Sequence, residues 1–193
     1  MLDTAVGILL AAGRGRRFDP SGVENKLLQV LGSGDAVVVA SARHLLAVLP
    51  RVVAVVRPEA GLVAQVLAAL GCEVTVCPDA DSGMAASLVH ALETTLDAQC
   101  WLLALGDMPE VQEDTMRSLL AAIGAGVDIA CPTYMGRRGN PVAFGRRHLP
   151  LLLALEGDQG ARSILKTHPV CEVAVPDPGV LHDIDTPADL SRQ

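Results

Sequence analysis

Glycine and arginine residues are concentrated in one short segment that follows the first apolar run of the chain. Residues 9–18 read Leu-Leu-Ala-Ala-Gly-Arg-Gly-Arg-Arg-Phe, and Lys26 follows a loop's length further on. Glycines let backbone N–H groups approach phosphate oxygens closely, and arginines add bidentate, charge-assisted hydrogen bonds. These residue types could bind a phosphate chain, although a solvated basic turn has the same composition.

The two most common nucleotide-binding loops do not match this segment. A Walker A loop requires a Gly-Lys pair, and the chain contains none. A dinucleotide fingerprint requires three glycines, whereas Phe18 occupies the third position after Gly13 and Gly15. If the segment binds phosphate, it does so with a different kind of loop.

Aspartates suited to a hard cation stand in two other segments. Asp107 directly follows an apolar run and a glycine, in Leu-Gly-Asp-Met-Pro. Asp183 and Asp185 alternate in His-Asp-Ile-Asp-Thr-Pro, which places both on one side of an extended segment. Mg²⁺ prefers one or two carboxylates together with phosphate oxygens and waters. The structural alternatives are a turn-forming aspartate at Asp107 and a helix cap at Asp185.

Apolar runs alternate with helical patterns along the chain. Strands are predicted at residues 6–11, 51–56, 73–76, 100–105, 128–131, 141–144 and 171–175. Helices are predicted at residues 36–48, 59–70, 83–95, 113–123, 149–155, 161–166 and from 186 onward, with Ser82 as the N-cap of the third. This order predicts an α/β sandwich with a mostly parallel sheet. Ligands of such sheets bind at the carboxyl ends of the strands, where the phosphate loop, Asp107 and Asp183 are all expected.

Length and composition limit the classes of protein to which the chain can belong. Its 193 residues are enough for one domain, residues 1–193, and its net charge of −7 argues against nucleic acid as a partner. No apolar run approaches the roughly 20 residues that span a membrane, and the start Met-Leu-Asp lacks the basic region of a signal peptide. Five cysteines without a C-x-x-C pair are typical of reduced core residues, so we expect a cytoplasmic protein.

Taken together, the motifs resemble those of a known enzyme family. Leu-Ala-Ala-Gly-x-Gly-x-Arg-Phe followed by Asn-Lys-Leu-Leu is similar to the signature of the MobA-like nucleotidyltransferases, and most similar to the molybdenum cofactor cytidylyltransferase (MocA) type. Gly-Asp-x-Pro at residues 106–109 and Asp-x-Asp-Thr-Pro at residues 183–187 match the family's metal-binding and C-terminal motifs. The resemblance covers nearly the whole chain and implies a Rossmann-like, three-layer α/β sandwich of the nucleotide-diphospho-sugar transferase type.

The resemblance also implies roles for individual residues. Arg17, Lys26 and Asp107 are implied in catalysis, and Asp107 and Asp185 in binding Mg²⁺, with Asp183 the weaker candidate. The residues implied in nucleotide binding are Leu10, Ala11, Ala12, Gly13, Arg14, Gly15, Arg17, Lys26, Gly83 and Ser87. The residues implied in acceptor binding are Arg137, Arg138, Asn140, Pro141 and Asp158.

The chain departs from the family pattern beside the first motif. Relatives usually have glycine after Arg-Phe and a short spacer before the lysine, whereas here Asp19 follows Phe18 and the spacer runs to residue 25. In the acceptor motif, Asn140 stands where many relatives have histidine. The first departure bears directly on how Lys26 reaches the site.

The activity implied by the resemblance is Mg²⁺-dependent nucleotidyl transfer. The enzyme would bind a nucleoside triphosphate, transfer CMP from CTP to the phosphate of a molybdopterin-type molybdenum cofactor, and release pyrophosphate. The Ala-Ala-Gly loop favours CTP, because GTP-using members tend to carry Ala-Gly-Gly. The alternatives are a sugar or polyol phosphate as acceptor, and a non-catalytic cofactor-binding chaperone whose partner is a molybdoenzyme. The two carboxylates argue against the chaperone, since cofactor storage alone needs no Mg²⁺.

Overall fold

The computed structural model describes residues 4–158 and 160–190, which form one sheet with helices on both faces. The strands are β1 (Ala5–Leu10), β2 (Val52–Val56), β3 (Glu73–Val76), β4 (Cys100–Leu105), β5 (Ile129–Tyr134), β6 (Arg137–Arg138), β7 (Val142–Gly145) and β8 (Cys171–Ala174). The α-helices are α1 (Val37–Leu46), α2 (Gly61–Ala69), α3 (Met84–Glu93), α4 (Glu113–Gly124), α5 (Leu149–Leu153), α6 (Arg162–Thr167) and α7 (Pro187–Leu190). Short 3-10 helices include Lys26–Leu28 and Pro178–Leu181.

The sheet has a parallel half and a mixed half. β3, β2, β1 and β4 lie side by side in parallel register. β7 is inserted antiparallel between β4 and β5, and the two-residue β6 pairs antiparallel with β5. β8 pairs with β5 in parallel. The predicted mostly parallel sheet is therefore confirmed, with an antiparallel insertion that the strand order alone does not reveal.

Alternate residues of the central strands face two separate cores. Leu9 and Leu102 pack with residues of α1, α2 and α4 on one face of the sheet. Ile8 and Trp101 pack with residues of α3, α5 and α6 on the other face. Strands buried on both faces carry nearly continuous apolar runs, as in the fully buried Val-Val-Ala-Val-Val of β2. This arrangement confirms the predicted three-layer sandwich.

Most predicted element boundaries agree with the structure to within two residues, and three details differ. Ser82 does not cap α3, because Gly83 is the N-cap residue and no side chain of the described residues caps this helix. β5 extends to Tyr134 instead of ending at Cys131, because it pairs with β6, a strand that was not predicted. The 3-10 helix Lys26–Leu28 was not predicted either.

The sequence led us to expect neither a signal peptide nor a membrane-spanning segment. The start Met-Leu-Asp, on which the expectation of no signal peptide rests, lies outside the described residues. Within the described part of the chain, no helix combines the length and the apolar character needed to cross a bilayer.

The carboxyl ends of β1 and β4 meet at one edge of the sheet. Leu10 is paired with Leu105 in the parallel register, and the N–H of Gly106 donates to the carbonyl of Leu10 at 2.9 Å. The N–H of Ile184 donates to the carbonyl of Asp107 at 2.8 Å, which draws the C-terminal segment to the same edge. The three segments expected at the carboxyl ends of the strands therefore lie together.

Candidate active site

The loop after β1 has backbone amides available to a ligand. The N–H of Ala11 completes the sheet by donating to the carbonyl of Val55 at 2.9 Å. Among the described residues, no acceptor takes up the N–H groups of residues 12–17. Successive unpaired N–H groups favour an anion. The loop therefore offers its amides from Ala12 onward, whereas Leu10 and Ala11, both predicted to bind nucleotide, lie respectively in β1 and in a backbone hydrogen bond to β2.

Asp19 folds the long spacer between this loop and Lys26. Its carboxylate accepts hydrogen bonds from the N–H of Glu24 at 2.7 Å and from the N–H and Oγ of Ser21 at 2.8 and 2.6 Å. These bonds, that from Glu24 first, lower the pKa of Asp19 to about 2, so its carboxylate is charged at neutral pH. The additional residues thus form a closed turn and do not displace Lys26.

A short 3-10 helix directs Lys26 toward the interior. The side chain of Asn25 caps this helix by accepting the N–H of Leu27 at 3.0 Å. The side chain of Lys26 lies against Gly15 of the phosphate loop and is only 9% exposed. The sequence Asn-Lys-Leu-Leu therefore works as a cap, an inward cation and two anchoring leucines.

Lys26 joins the two candidate metal carboxylates. Its Nζ lies 2.6 Å from Oδ2 of Asp107 and 3.1 Å from Oδ1 of Asp185. Arg17, whose side chain is largely exposed, forms an ion pair with Oδ2 of Asp185. The structure thus brings together all four residues that were predicted to carry catalysis and metal binding.

Burial and neighbouring carboxylates act in opposite directions on the pKa of Lys26. Burial alone would lower the pKa of the Lys26 ammonium, but the carboxylates of Asp107 and Asp185 outweigh it and raise the pKa above its usual value. Desolvation, followed by the charge of Asp185, raises the pKa of the neighbouring Asp183. Lys26 therefore stays charged at neutral pH.

One carboxylate oxygen of Asp107 has no hydrogen-bond partner among the described residues. Its Oδ1 is buried and accepts no hydrogen bond from the described residues. No three His, Cys, Asp or Glu side chains in the described ranges are arranged to hold a metal by themselves. Mg²⁺ needs only one or two carboxylates when phosphate oxygens and waters complete its coordination. Asp107 and Asp185 therefore fit a metal that binds together with a nucleotide.

Asp81 connects the phosphate loop to the end of β2. Its carboxylate accepts hydrogen bonds from Nε of Arg14 at 2.7 Å and from Nη2 of Arg57 at 2.8 Å. The bond from Arg14 is the main reason that the pKa of Asp81 is lowered to about 2. This exposed network contributes little stability, but it holds Arg14, a predicted phosphate-binding residue, on a carboxylate.

The two predicted nucleoside residues lie at the start of α3. Ser87 is 5% exposed, and within the described ranges its hydroxyl has no hydrogen-bond partner. Gly83 has a φ of +122°, and a Cβ there would lie 2.5 Å from the carbonyl oxygen of Gly157 and 2.7 Å from Oδ1 of Asp158. Gly83 is thus required first by the close approach of another loop of the protein.

The predicted acceptor residues Asn140 and Pro141 lie near the segment that carries Asp107. Together with Leu105 and Met108, the neighbours of Asp107 in the chain, they line a small cavity. Asp158 lies instead against Gly83, one of the predicted nucleotide-binding residues. Asp158 therefore does not line this cavity with the other two predicted acceptor residues.

The two arginines of the β5–β6 hairpin differ in their surroundings. Arg138 is held by Glu172, with 2.7 Å between Nε and Oε1, and its Nη1 donates to the carbonyl of Leu165. Arg137 is exposed and forms no ion pair with the described residues. Of this pair, Arg137 is the arginine that is free to meet an anionic acceptor.

Most of the chain matches a known protein family. A model of the MobA-like NTP transferase domain matches residues 7–173, which include the phosphate loop, Lys26 and Asp107. The chain belongs to the MobA-like NTP transferase family. The chain is therefore a MobA-like nucleotidyltransferase.

Relatives of this MobA-like chain match it along nearly its whole length. Purine catabolism protein PucB of Bacillus subtilis (strain 168) is 28% identical over 196 residues, which cover 95% of this chain and 93% of PucB. The crystal structure of Rv0371c from Mycobacterium tuberculosis H37Rv has a TM-score of 0.85 and 30% identity, covering 98% of this chain and 96% of Rv0371c. A complex of Rv0371c with manganese has a TM-score of 0.81 and 29% identity, with 98% and 97% covered.

The roles of two residues near this site were not predicted from the sequence. Asp81 is 67 residues away from Arg14, and no short motif connects them. Asp19 stands out in the sequence only as a departure from the family's glycine. Its spacing to Ser21, however, is typical of an Asx turn and is a signal that could have identified its role.

Proposed function

We propose that this MobA-like transferase transfers CMP from CTP to the phosphate of a molybdopterin-type molybdenum cofactor and releases pyrophosphate. The observation that carries the proposal is the contact of Lys26 with both Asp107 and Asp185, directly beside the unpaired amides of residues 12–17. A site for a cation and a site for an anion thus share one edge of the sheet. That combination suits a triphosphate that binds with a divalent metal.

The proposed reaction is a single in-line displacement at the α-phosphorus of CTP. A phosphate oxygen of the acceptor attacks the α-phosphorus and forms the new P–O bond. The bond from the α-phosphorus to the oxygen that bridges to the β-phosphate breaks, and pyrophosphate leaves with that electron pair. The attacking oxygen is already deprotonated at neutral pH, so the protein needs to position it more than to activate it.

The residues of the cluster position and neutralise the phosphates. The amides of residues 12–17 hold the triphosphate, and Arg17 and Lys26 neutralise the charge that develops on its oxygens. Mg²⁺, held by Asp107 and Asp185, would supply further neutralisation of the departing pyrophosphate. We expect Lys26 and Arg17 to exchange their carboxylate partners for phosphate oxygens when nucleotide and metal bind.

Several features support the substrates of the proposal. The Ala-Ala-Gly sequence of the loop favours CTP, and the free hydroxyl of Ser87 is suited to a nucleoside. The exposed Arg137 suits an anionic acceptor beside Asn140. The manganese complex of Rv0371c supports a divalent metal. All five cysteines are free thiols, four of them buried, which agrees with a cytoplasmic enzyme.

The test is pyrophosphate release in the presence of Mg²⁺ with each nucleoside triphosphate and each class of acceptor. Release with CTP and the molybdopterin acceptor, roughly 10-fold or more above the other nucleotides, supports the proposal. Release with a sugar or polyol phosphate reassigns the acceptor, and no release with any pair contradicts nucleotidyl transfer. Asp107→Asn separates an enzyme from a cofactor-binding chaperone. An enzyme loses turnover by about 100-fold or more, whereas a chaperone retains its cofactor binding.

A further inference from the structure

Asp177 is a buried carboxylate outside the catalytic cluster. The residue is 1% exposed. Its Oδ2 accepts hydrogen bonds from the N–H of Gln112 at 2.9 Å and from Oγ1 of Thr115 at 2.6 Å, and its Oδ1 accepts the N–H of Gly179 at 3.0 Å. A carboxylate is retained at such depth only where hydrogen bonds compensate for the lost hydration. Both carboxylate oxygens of Asp177 therefore accept hydrogen bonds from within the protein.

The bonds of Asp177 connect two segments that lead to the two metal carboxylates. Gln112 is the N-cap residue of α4, which begins directly after the loop that carries Asp107. Gly179 lies in the 3-10 helix from which the chain continues to Asp185. Asp177 thus ties the base of one metal-binding segment to the base of the other.

The chain between Asp177 and Asp185 has little freedom to adjust. A Cβ at Gly179 would lie 2.4 Å from the carbonyl oxygen of Glu110, so this turn packs directly on the loop after Asp107. Further along, Ile184 is 3% exposed, and its N–H donates to the carbonyl of Asp107 at 2.8 Å. The segment is therefore held at its start, at its first turn and near its end, and loss of the anchor at its start is expected to change how Asp185 lies relative to Asp107.

We propose that Asp177 is a positioning residue that sets the separation of Asp107 and Asp185 and thereby the affinity of the site for its divalent metal. The inference rests on the proposed function, in which those two carboxylates hold the metal. Asp177 makes no hydrogen bond to either of them among the described residues, and it acts through Gln112 and Gly179. Supporting residues that orient metal ligands in this way commonly change metal affinity when they are replaced.

The experiment measures Mn²⁺ binding by electron paramagnetic resonance, with and without CTP, in the full chain. Asp177→Ala removes all three bonds, and Thr115→Val removes only one of them. Thr95→Val is the matched control, because Thr95 is buried and accepts a hydrogen bond from Nε1 of Trp101 at 2.9 Å, apart from Asp177 and the metal carboxylates. It should lower the Tm as a buried hydrogen bond does, but it should leave the Mn²⁺ Kd within about twofold.

Asp177→Ala is expected to weaken Mn²⁺ binding roughly 10-fold or more, and Thr115→Val about threefold. Higher Mg²⁺ should restore most of the turnover, so that the KM for metal rises more than kcat falls. An unchanged Mn²⁺ Kd in folded Asp177→Ala, or in Thr115→Val if the alanine variant does not fold, overturns the proposal. Asp107→Asn distinguishes the two failures: if it keeps Mn²⁺ affinity, the metal assignment is wrong. If only Asp107→Asn loses affinity, the positioning role alone is wrong.

Discussion

The ammonium of Lys26 lies 2.6 Å from Oδ2 of Asp107 and 3.1 Å from Oδ1 of Asp185, so one lysine fills the place between the two carboxylates that we assign to the metal. The cluster is thus charge-compensated before any nucleotide binds. In the proposed function, a divalent ion held by both carboxylates would replace this compensation and release Lys26 for phosphate, so that metal binding and phosphate binding would be coupled.

Lys26→Met tests that exchange, because methionine has an unbranched side chain like the aliphatic stem of lysine but carries no ammonium. Asp107 then loses its cation partner while Asp185 keeps Arg17, and this loss should destabilise the metal-free protein by roughly 1–3 kcal/mol. Added Mg²⁺ should then raise the Tm more in the variant than in the wild type, while turnover falls about 100-fold or more. Thermal unfolding with and without Mg²⁺ measures both effects. The exposed Lys166→Met is the control, and equal Mg²⁺ shifts in the three proteins would contradict the exchange.

Asp19 should titrate well below an ordinary aspartate. Hydrogen bonds from Glu24 and Ser21 lower its pKa from 3.8 to about 2. Because the folded pKa is depressed, the stabilisation is fully present above about pH 4 and is lost as the pH falls through about 2. Carboxyl-carbon NMR of Asp19, followed together with the amide of Glu24, measures the midpoint. A midpoint near the ordinary value would show that Asp19 does not close the turn before Lys26.

Asp81→Asn should strengthen nucleotide binding, because it releases Arg14 from a carboxylate that competes with phosphate. We expect CTP to bind about threefold more tightly at low salt, with the difference vanishing near 1 M salt because exposed charges are screened. Asp79→Asn removes a nearby charge that forms no ion pair among the described residues, and it is the matched control. Equal gains in both variants would show that overall charge, and not the release of Arg14, changes the affinity.

Much of the fold could be predicted because strands buried on both faces have continuous apolar runs in the sequence. β4 has the predicted bounds, since its Cys-Trp-Leu-Leu-Ala-Leu run is apolar on both faces. The place of β7 could not be predicted, because its antiparallel insertion between β4 and β5 depends on packing between distant segments. β6 could not be predicted either, because its two residues, Arg137 and Arg138, carry no apolar alternation.

The site shows the same division between local motifs and distant contacts. Lys26, Asp107 and Asp185 were identified by short motifs, and the structure brings them into contact. The contacts of Asp81 with Arg14, and of Asp177 with the start of α4, join segments more than 60 residues apart. Such pairs leave no local pattern, because their geometry is set by the whole sandwich.

Gly83→Ala should destabilise the protein more than its backbone angle alone explains. The φ of +122° strains any alanine, and the Cβ would also meet the carbonyl of Gly157 at 2.5 Å. Gly126 has a φ of +98° with open space around it, so Gly126→Ala measures the strain alone. We expect losses of about 1 kcal/mol for Gly126→Ala and roughly 2–4 kcal/mol for Gly83→Ala, measured by urea unfolding. Equal losses of unfolding free energy in the two variants would mean that the loop at Gly157 moves aside without destabilising the protein.

The fate of the α-phosphoryl group of CTP tests nucleotidyl transfer most directly. CTP labelled at the α-phosphorus is incubated with Mg²⁺, the molybdopterin-type acceptor and the wild-type protein, and the products are separated. We predict that the label enters the acceptor while pyrophosphate appears in equal amount. Label that stays in CTP, or that is released as free CMP without entering any acceptor, would contradict nucleotidyl transfer at the cluster of Lys26, Asp107 and Asp185.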